Sequence, residues 1–335
     1  MINKFIPMTM AFTVLLSIAA YGEDTKTVEQ LVAESAKIQK SIDLTKSKMK
    51  EIKDVAFLPD LYFVMAELYV EKSRYEYTIT RQKNPNAPMN ELDFSDAKKS
   101  KKQAVDIYQR IIENFPKGNS VDKALFYMAH EYRELGDYEN MVKTYNKLTT
   151  DFPKSDFWEE SILILADFYY ETKKDIDLAF KHYQKILNRP QNPFMPIARY
   201  KSGWCYINMQ KFHDALLAFE AVLNIDSKIP QTVLDKLPDV YRKSDIRRDA
   251  LIAMVWPYSE EKKLDPERKD ALNYFESLSP SRPTLMKVLD KLAKRLMIKN
   301  RFDEALPAYY RLLEITHDLE RQSELLDRFY EAFKK

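Results

Sequence analysis

Apolar and polar positions alternate with helical spacing through most of the chain. In Leu125–Leu135 the apolar residues fall at Leu125, Met128, Ala129, Tyr132 and Leu135, the i, i+3, i+4, i+7 stripe of an amphipathic helix. Gly136-Asp137 breaks that stripe. A second stripe follows in Tyr138–Leu148, through Met141, Val142, Tyr145 and Leu148. Asp151-Phe152-Pro153 closes the pair, because proline cannot continue the helix behind it. The next helix is expected from Ser155 or Asp156, with Glu159 placed as a capping-box partner.

The helical pair repeats. Tyr132, Tyr169 and Tyr206 step by 37 residues, as do Ala129, Ala166 and Gly203, and Pro116, Pro153 and Pro190. Tyr108 and Tyr145 share the step, and Phe219 lies three periods beyond Tyr108. One period in several residue classes is the mark of a repeat array, in which each helical pair buries its apolar face only by stacking on neighbours. Two antiparallel helices on a short turn need a small residue at their crossing. Gly203 is expected to face Ala215 there, so Gly203→Leu should overpack the crossing by about 1–3 kcal/mol.

These residues resemble the tetratricopeptide repeat (TPR) family. The unit Ile197–Ser227 carries Gly203, Tyr206, Phe212, Ala215 and Phe219 in the family's glycine, tyrosine, turn-aromatic, alanine and aromatic places. It departs at Arg199, where the family has tryptophan, and at Ser227, where it has proline. The unit Asp122–Pro153 matches through Ala129, Tyr132, Gly136-Asp137-Tyr138, Tyr145 and Pro153, with Met141 for alanine. Glu159–Pro190 matches through Ala166, Tyr169, Ala179 and Pro190, with a turn at Lys173–Ile176 one residue longer. Pro59–Pro116 carries Ala66, Tyr69, Ala104 and Tyr108 with some 26 residues inserted, including the loop Asn84–Pro88. Met286–His317 matches through Ala293, Phe302, Ala305 and Tyr309. Ile246–Tyr258 and Pro266–Leu278 form a degenerate pair, with Asp265-Pro266-Glu267 as a helix start. Asp318–Phe333 reads as a capping helix. The implied fold is all-α, a TPR-like α-solenoid of antiparallel helix pairs preceded by a helical or coiled-coil segment. Its segments are 1–22 (signal), 23–56 (N-terminal helix), 57–228 (TPR-like repeats) and 229–335 (degenerate and C-terminal repeats with the cap).

The resemblance implies a protein-binding scaffold whose first helices line a groove. It nominates Phe63 and Glu67, then Phe126, His130 and Arg133, then Leu163, Asp167 and Tyr170, then Tyr200, Trp204 and Asn208. Such a surface suits a peptide segment of a protein partner. Aromatics at helical spacing also serve as core, so each of these has two readings. The family's carboxylate clamp for chaperone tails has no counterpart, since Phe63, Glu67, Tyr127, Glu160 and Ile164 fill its places.

Residues 23–56 contain no proline or glycine and follow a heptad. Val28, Ser35, Ile42, Met49 and Ala56 take one seam position, and Leu31, Ile38, Thr45 and Ile52 the other. This stripe fits either a homo-oligomeric coiled coil or packing on the chain's own first repeat. Ahead of it, Lys4 and the apolar run Phe5–Ala20, ending in Ala20 and Gly22, read as a secretory signal. The run is short for a membrane span. A periplasmic protein is therefore expected. The layout is similar to Tol-associated coiled-coil–TPR proteins and to TPR components of gliding-motility complexes.

Composition narrows the chemistry. Only 4 of 335 residues are glycine, where roughly 23 would be average, so phosphate loops and dinucleotide fingerprints have no material. The single cysteine, Cys205, makes no internal disulfide and reads as a buried structural thiol. Net charge is +2, which gives no general attraction for nucleic acid. Lys98-Lys99-Ser100-Lys101-Lys102 is the strongest basic run and reads as a solvated helix face, with peripheral contact to an anionic membrane as the sharper reading. His130, His182, His213 and His317 form no metal motif, no nucleophile elbow exists, and no cofactor is expected. The chain reads as a non-enzymatic periplasmic scaffold for proteins of the cell envelope. The alternative is a peptidoglycan-modifying enzyme or its direct regulator, for which the repeats leave no stretch of about 150 residues.

Overall fold

Several helix starts follow local chemistry in this computed structural model, which describes residues 26–51, 57–189, 191–225, 230–235, 237, 245–261 and 265–333. The signal segment 1–22, Pro190 and Ser227 lie outside the described residues. Thr27 caps the first helix, α1 (Val28–Glu51), in a reciprocal box: its N–H donates to Gln30 Oε1 at 2.9 Å and its Oγ1 accepts from Gln30 N–H at 3.3 Å. Helices α2 (Leu58–Lys83) and α3 (Ser95–Asn114) follow, then α4 (Val121–Glu134), α5 (Tyr138–Asp151) and α6 (Trp158–Asp167). Asp137 caps α5 by accepting from Asn140 N–H at 3.1 Å. No strand occurs among the described residues.

The chain clusters into two compact units, dividing within α6 between Leu165 and Ala166. In the first unit, α1 packs on α2, α2 on α3, α3 on α4 and α4 on α5. The heptad stripe of α1 is its inward face. Leu31 and Ile42 are fully buried, while Val28, Ser35, Ile38, Thr45 and Met49 are half-buried. Lys46 Nζ donates to Tyr69 Oη at 2.7 Å and Lys72 Nζ to Gln39 Oε1 at 2.7 Å, so α2 is what the stripe meets. The seam residues Ala56 and Ile52 are outside the described residues. The insertion of the first repeat is not mainly a loop. It lengthens α2 and α3 to 26 and 20 residues, closed at the tip by Tyr77 stacked on Phe94 at 4.6 Å.

The second unit continues α6 into a π-helical turn (Phe168–Lys173), followed by α7 (Ile176–Leu187), α8 (Met195–Asn208), α9 (Phe212–Leu223), the short α10 (Gln231–Leu234) and α11 (Ile246–Glu260). After α12 (Ala271–Leu278) come α13 (Arg282–Ile298), α14 (Phe302–Ile315) and α15 (Leu319–Phe333). Successive helices pack as neighbours from α7 to α9 and from α11 through α13 to α14, with α12 against α13 and α14. Glu220 on α9 accepts a bidentate pair from Arg268 at 2.8 and 2.7 Å, and a further bond from Tyr274, which ties α9 to α12.

Two expected helix starts move. The helix expected from Ser155 begins at Trp158, because residues 155–157 form a turn in which Ser155 Oγ accepts from Phe157 N–H at 3.1 Å. Trp158 then donates to the Thr149 carbonyl at 2.9 Å and fixes where α6 begins. Asp265-Pro266 opens only a 3-10 turn, Pro266–Arg268, and α12 starts at Ala271 under an Asp270 cap. Asp318 does cap α15, accepting from Arg321 N–H at 2.9 Å.

Candidate protein-binding surface

The crossing residues show how each pair is built. A Cβ placed on Gly203 would lie 2.5 Å from Phe219 Cε1, so α8 and α9 approach through glycine against an aromatic ring. The three nearest atoms all belong to the Phe219 ring, so this ring is what meets Gly203 most closely at the crossing. Tyr200 and Trp204 pack on the same ring with centroids at 5.6 and 6.2 Å. Ala129 and Ala166 are fully buried at the equivalent places.

The longer turn near Lys173 is accommodated as the π-turn. Asp137 N–H and Lys211 N–H each bond the carbonyl five residues back, Tyr132 and Tyr206, at 2.9 Å, whereas Asp175 N–H bonds Tyr169 six residues back at the same distance. One extra residue in the last turn of the helix keeps the turn geometry unchanged. It also explains why the aromatic period skips a residue. On the second helices of the pairs, the fully buried Tyr145 of α5 is followed by Tyr183 of α7, 38 residues on, and by Phe219 of α9 after 36.

The aromatics nominated for the groove are core. Phe63, Phe126, Tyr170, Tyr200 and Trp204, with Leu163, are all buried, at 7% exposure or less. In the second unit the polar candidates are consumed internally. Asp167 Oδ1 accepts from Tyr183 Oη at 2.6 Å and from Lys201 Nζ at 2.7 Å, and the Lys201 side chain is 3% exposed. Asn208 Nδ2 donates to Tyr170 Oη at 2.7 Å. Periodicity alone could not reveal this, since Lys201 and Tyr183 reach Asp167 from other helices. Glu67 remains exposed, and His130 and Arg133 half-exposed, all in the first unit.

Those three residues share their surroundings with groups that sequence reasoning did not nominate: Lys123, Tyr127 and Glu160. Tyr127 is half-buried on α4, edge-on to Phe63 at 5.9 Å and to Phe157 at 6.0 Å. Lys123 Nζ sits over the Phe63 ring at 4.3 Å and 5.8 Å from the Tyr127 centroid. Burial raises the Tyr127 hydroxyl, and the charges of Glu67 and Glu160 raise it further. Glu160 is pushed up to about 7 by burial, with the Arg133 charge opposing that rise only in part. Glu131 is buried and held ionised by His130 and Lys101, with Lys101 Nζ at 3.1 Å, despite the desolvation that opposes it. The Tyr145 hydroxyl is wholly buried and has no hydrogen-bond partner among the described residues.

The basic run lies on the first turns of α3. Lys98, Lys99 and Lys102 are exposed, Lys101 is spent on Glu131, and Ser100 is buried and donates to Glu76 at 2.7 Å. Cys205 is a buried free thiol raised by desolvation, in keeping with a structural role. Among the described residues no group of three His, Cys, Asp or Glu side chains is placed to hold a metal. No helix among them is long and apolar enough to cross a membrane.

The tetratricopeptide repeat model matches three segments, residues 92–118, 123–155 and 198–227. Each spans part or all of a helical pair described above. Among solved structures, the C-terminal part of a TPR repeat-containing protein from Cytophaga hutchinsonii is similar over 89% of this chain and 98% of its own, at 15% identity and a TM-score of 0.47. A tetratricopeptide repeat protein from Parabacteroides merdae is similar over 78% of this chain and 97% of its own, at 16% identity and a TM-score of 0.37. PilW, a type IV pilus biogenesis factor, is similar over 78% and 98%, at 14% identity and a TM-score of 0.37. The curated proteins give no match. The fold is all-α and TPR-like, built of the helical pairs that the repeat model recognises.

Proposed function

We propose that this chain is a non-enzymatic scaffold that binds proteins of the bacterial cell envelope from the periplasm, through the exposed face of its first helices. The observation that carries the reading is the match of three segments to a repeat whose pairs present one helix face to partners. The accessible set is Glu67, Lys123, Tyr127, His130, Arg133 and Glu160, a mixed aromatic and charged surface in which tyrosine and arginine supply the anchoring contacts. The compartment rests on Lys4 and the apolar run Phe5–Ala20.

Capture from envelope extract tests the function. The full chain should retain a defined set of proteins that Tyr127→Ala and Arg133→Ala lose while melting as the wild type does. Retention of the whole set by both variants refutes the surface. Fusion of residues 1–25 to a reporter active only after export tests the compartment, and a silent fusion refutes it.

A further inference from the structure

The inner face of α15 is spent on its neighbours. Leu325 is buried, and the Phe329 ring lies edge-on to Tyr309 of α14 at 5.3 Å. Gln322 Nε2 donates to the Leu313 and Thr316 carbonyls at 3.2 and 2.6 Å, and Arg328 reaches Asp290 of α13 at 3.0 Å. The outer face is apolar where a solvent-facing helix is polar. Leu319 is 80% exposed, and Leu326, two turns on, is 52% exposed. Tyr330 continues the stripe one turn later at 63%. Tyr310 of α14, also 63% exposed, lies 6.3 Å from the Phe329 ring and so flanks the same turn. Exposed apolar residues are ordinary one at a time, but these share one stripe.

Acids line one flank of that stripe. Glu320, Glu324 and Asp327 step by four and three residues, so they form a single row along the helix. Glu320 directly follows Leu319 and Asp327 directly follows Leu326, which sets the row beside the stripe. All three acids are exposed, and none forms an ion pair or hydrogen bond with a described residue. The neighbouring cations do not offset them. Arg328 is held by Asp290, and Arg311 of α14 by Glu276 and Glu314 at 2.6 and 2.7 Å. By helical register Arg321 falls beyond the row, on the side away from the stripe.

We propose that the outer face of α15, with Tyr310 beside it, docks an amphipathic helix of a protein partner. The partner helix lays apolar residues against Leu319, Leu326 and Tyr310 and a row of lysine or arginine against Glu320, Glu324 and Asp327. Charge complementarity selects this occupant, since the apolar stripe is bordered by one sign of charge only. A second copy of this chain, laid antiparallel on the same stripe, sets acid row beside acid row, because a two-fold axis keeps both flanks on one side. An anionic lipid surface meets the same repulsion. The docking face uses residues of the second unit only and goes beyond the first-unit surface of Tyr127 and Arg133.

The test uses the full chain and four labelled, amidated, alanine-rich helical peptides. Three carry a leucine stripe flanked on one side by lysine, glutamine or glutamate, and the fourth keeps the lysines but has serine for leucine. Fluorescence anisotropy at neutral pH should show the lysine–leucine peptide bound about tenfold more tightly than the glutamine peptide, with the glutamate and serine peptides weakest. Leu319→Ser and Leu326→Ser should each weaken the lysine–leucine peptide about tenfold. The triple variant Glu320→Gln, Glu324→Gln, Asp327→Asn should bring it down to the glutamine peptide and leave that peptide unchanged. These positions are solvent-exposed, and thermal melting confirms that the variants fold. Equal affinity for the lysine and glutamine peptides, no binding of any, or leucine variants that bind as the wild type does overturns the inference. So does light scattering that finds an oligomer which Leu326→Ser dissociates, since the stripe is then covered by a second copy. Tyr127→Ala and Arg133→Ala should leave peptide affinity unchanged, so the envelope capture judges the first-unit surface separately.

Discussion

Single residues set the tolerances of this molecule. At Gly203 even one methyl group meets the Phe219 ring, so Gly203→Ala should cost about 1–3 kcal/mol and Gly203→Leu more, both read as a lowered melting temperature. Glu160 behaves oppositely. Its folded value of about 7 lies above the ordinary 4.5, so the native state holds the proton more tightly than the unfolded chain. Its contribution to stability is therefore lost as pH rises from about 4.5 through about 7. Glu160→Gln should be more stable than the wild type at pH 8, by about 1–2 kcal/mol once solvent access is allowed for, and nearly equal at pH 4. His182 has the reverse sign. It is buried, stacked on Tyr169 at 5.4 Å, and lowered by burial from 6.5 to about 4. The unfolded chain takes the proton first, so stability is lost as pH falls from 6.5 to about 4, and His182→Phe should flatten that acid slope in a pH series of denaturation curves.

Elements obey a common turn rule that the residues fill differently. The left-handed position between paired helices is Gly136 (φ 75°), Lys174 (57°), Gln210 (59°) and Asn300 (58°). Side chains other than glycine are strained there. Gln210→Gly should raise stability by about 0.5–1 kcal/mol in chemical denaturation, and Gly136→Gln should lower it by a similar amount. The helical stripes, the proline stops and the Gly136-Asp137 break were legible in sequence because each rests on contacts within a few residues. The π-turn at Phe168–Lys173 was legible only as a turn one residue too long. Whether the extra residue becomes loop or helix depends on the hydrogen bond from Asp175 to Tyr169, a choice among nearly equal backbone states. The same holds for the insertion after Tyr69, whose residues extended two helices because Tyr77 and Phe94 could close them at the tip.

At the scale of the molecule, α1 shows that a periodic stripe fixes which face is buried but not against what. Its stripe is covered by α2 of the same chain. Starting the chain at residue 57 should therefore leave the number of protomers per particle unchanged in light scattering. It should also lower the melting temperature by more than about 5 °C, since Leu31 and Ile42 are lost and Tyr69 is uncovered. The candidate site divides along the same line. Tyr170, Tyr200 and Trp204 carry the right spacing for a groove, yet tertiary contacts consume them, along with Asp167 and Asn208. Sequence by itself determined the all-α repeat, its period and its crossings, because these follow from residue type and short-range spacing. Only the tertiary structure decided that Asp167 is paired with Tyr183 and Lys201. Pairing depends on which side chains other helices bring within about 3 Å, and helical period carries no information about that.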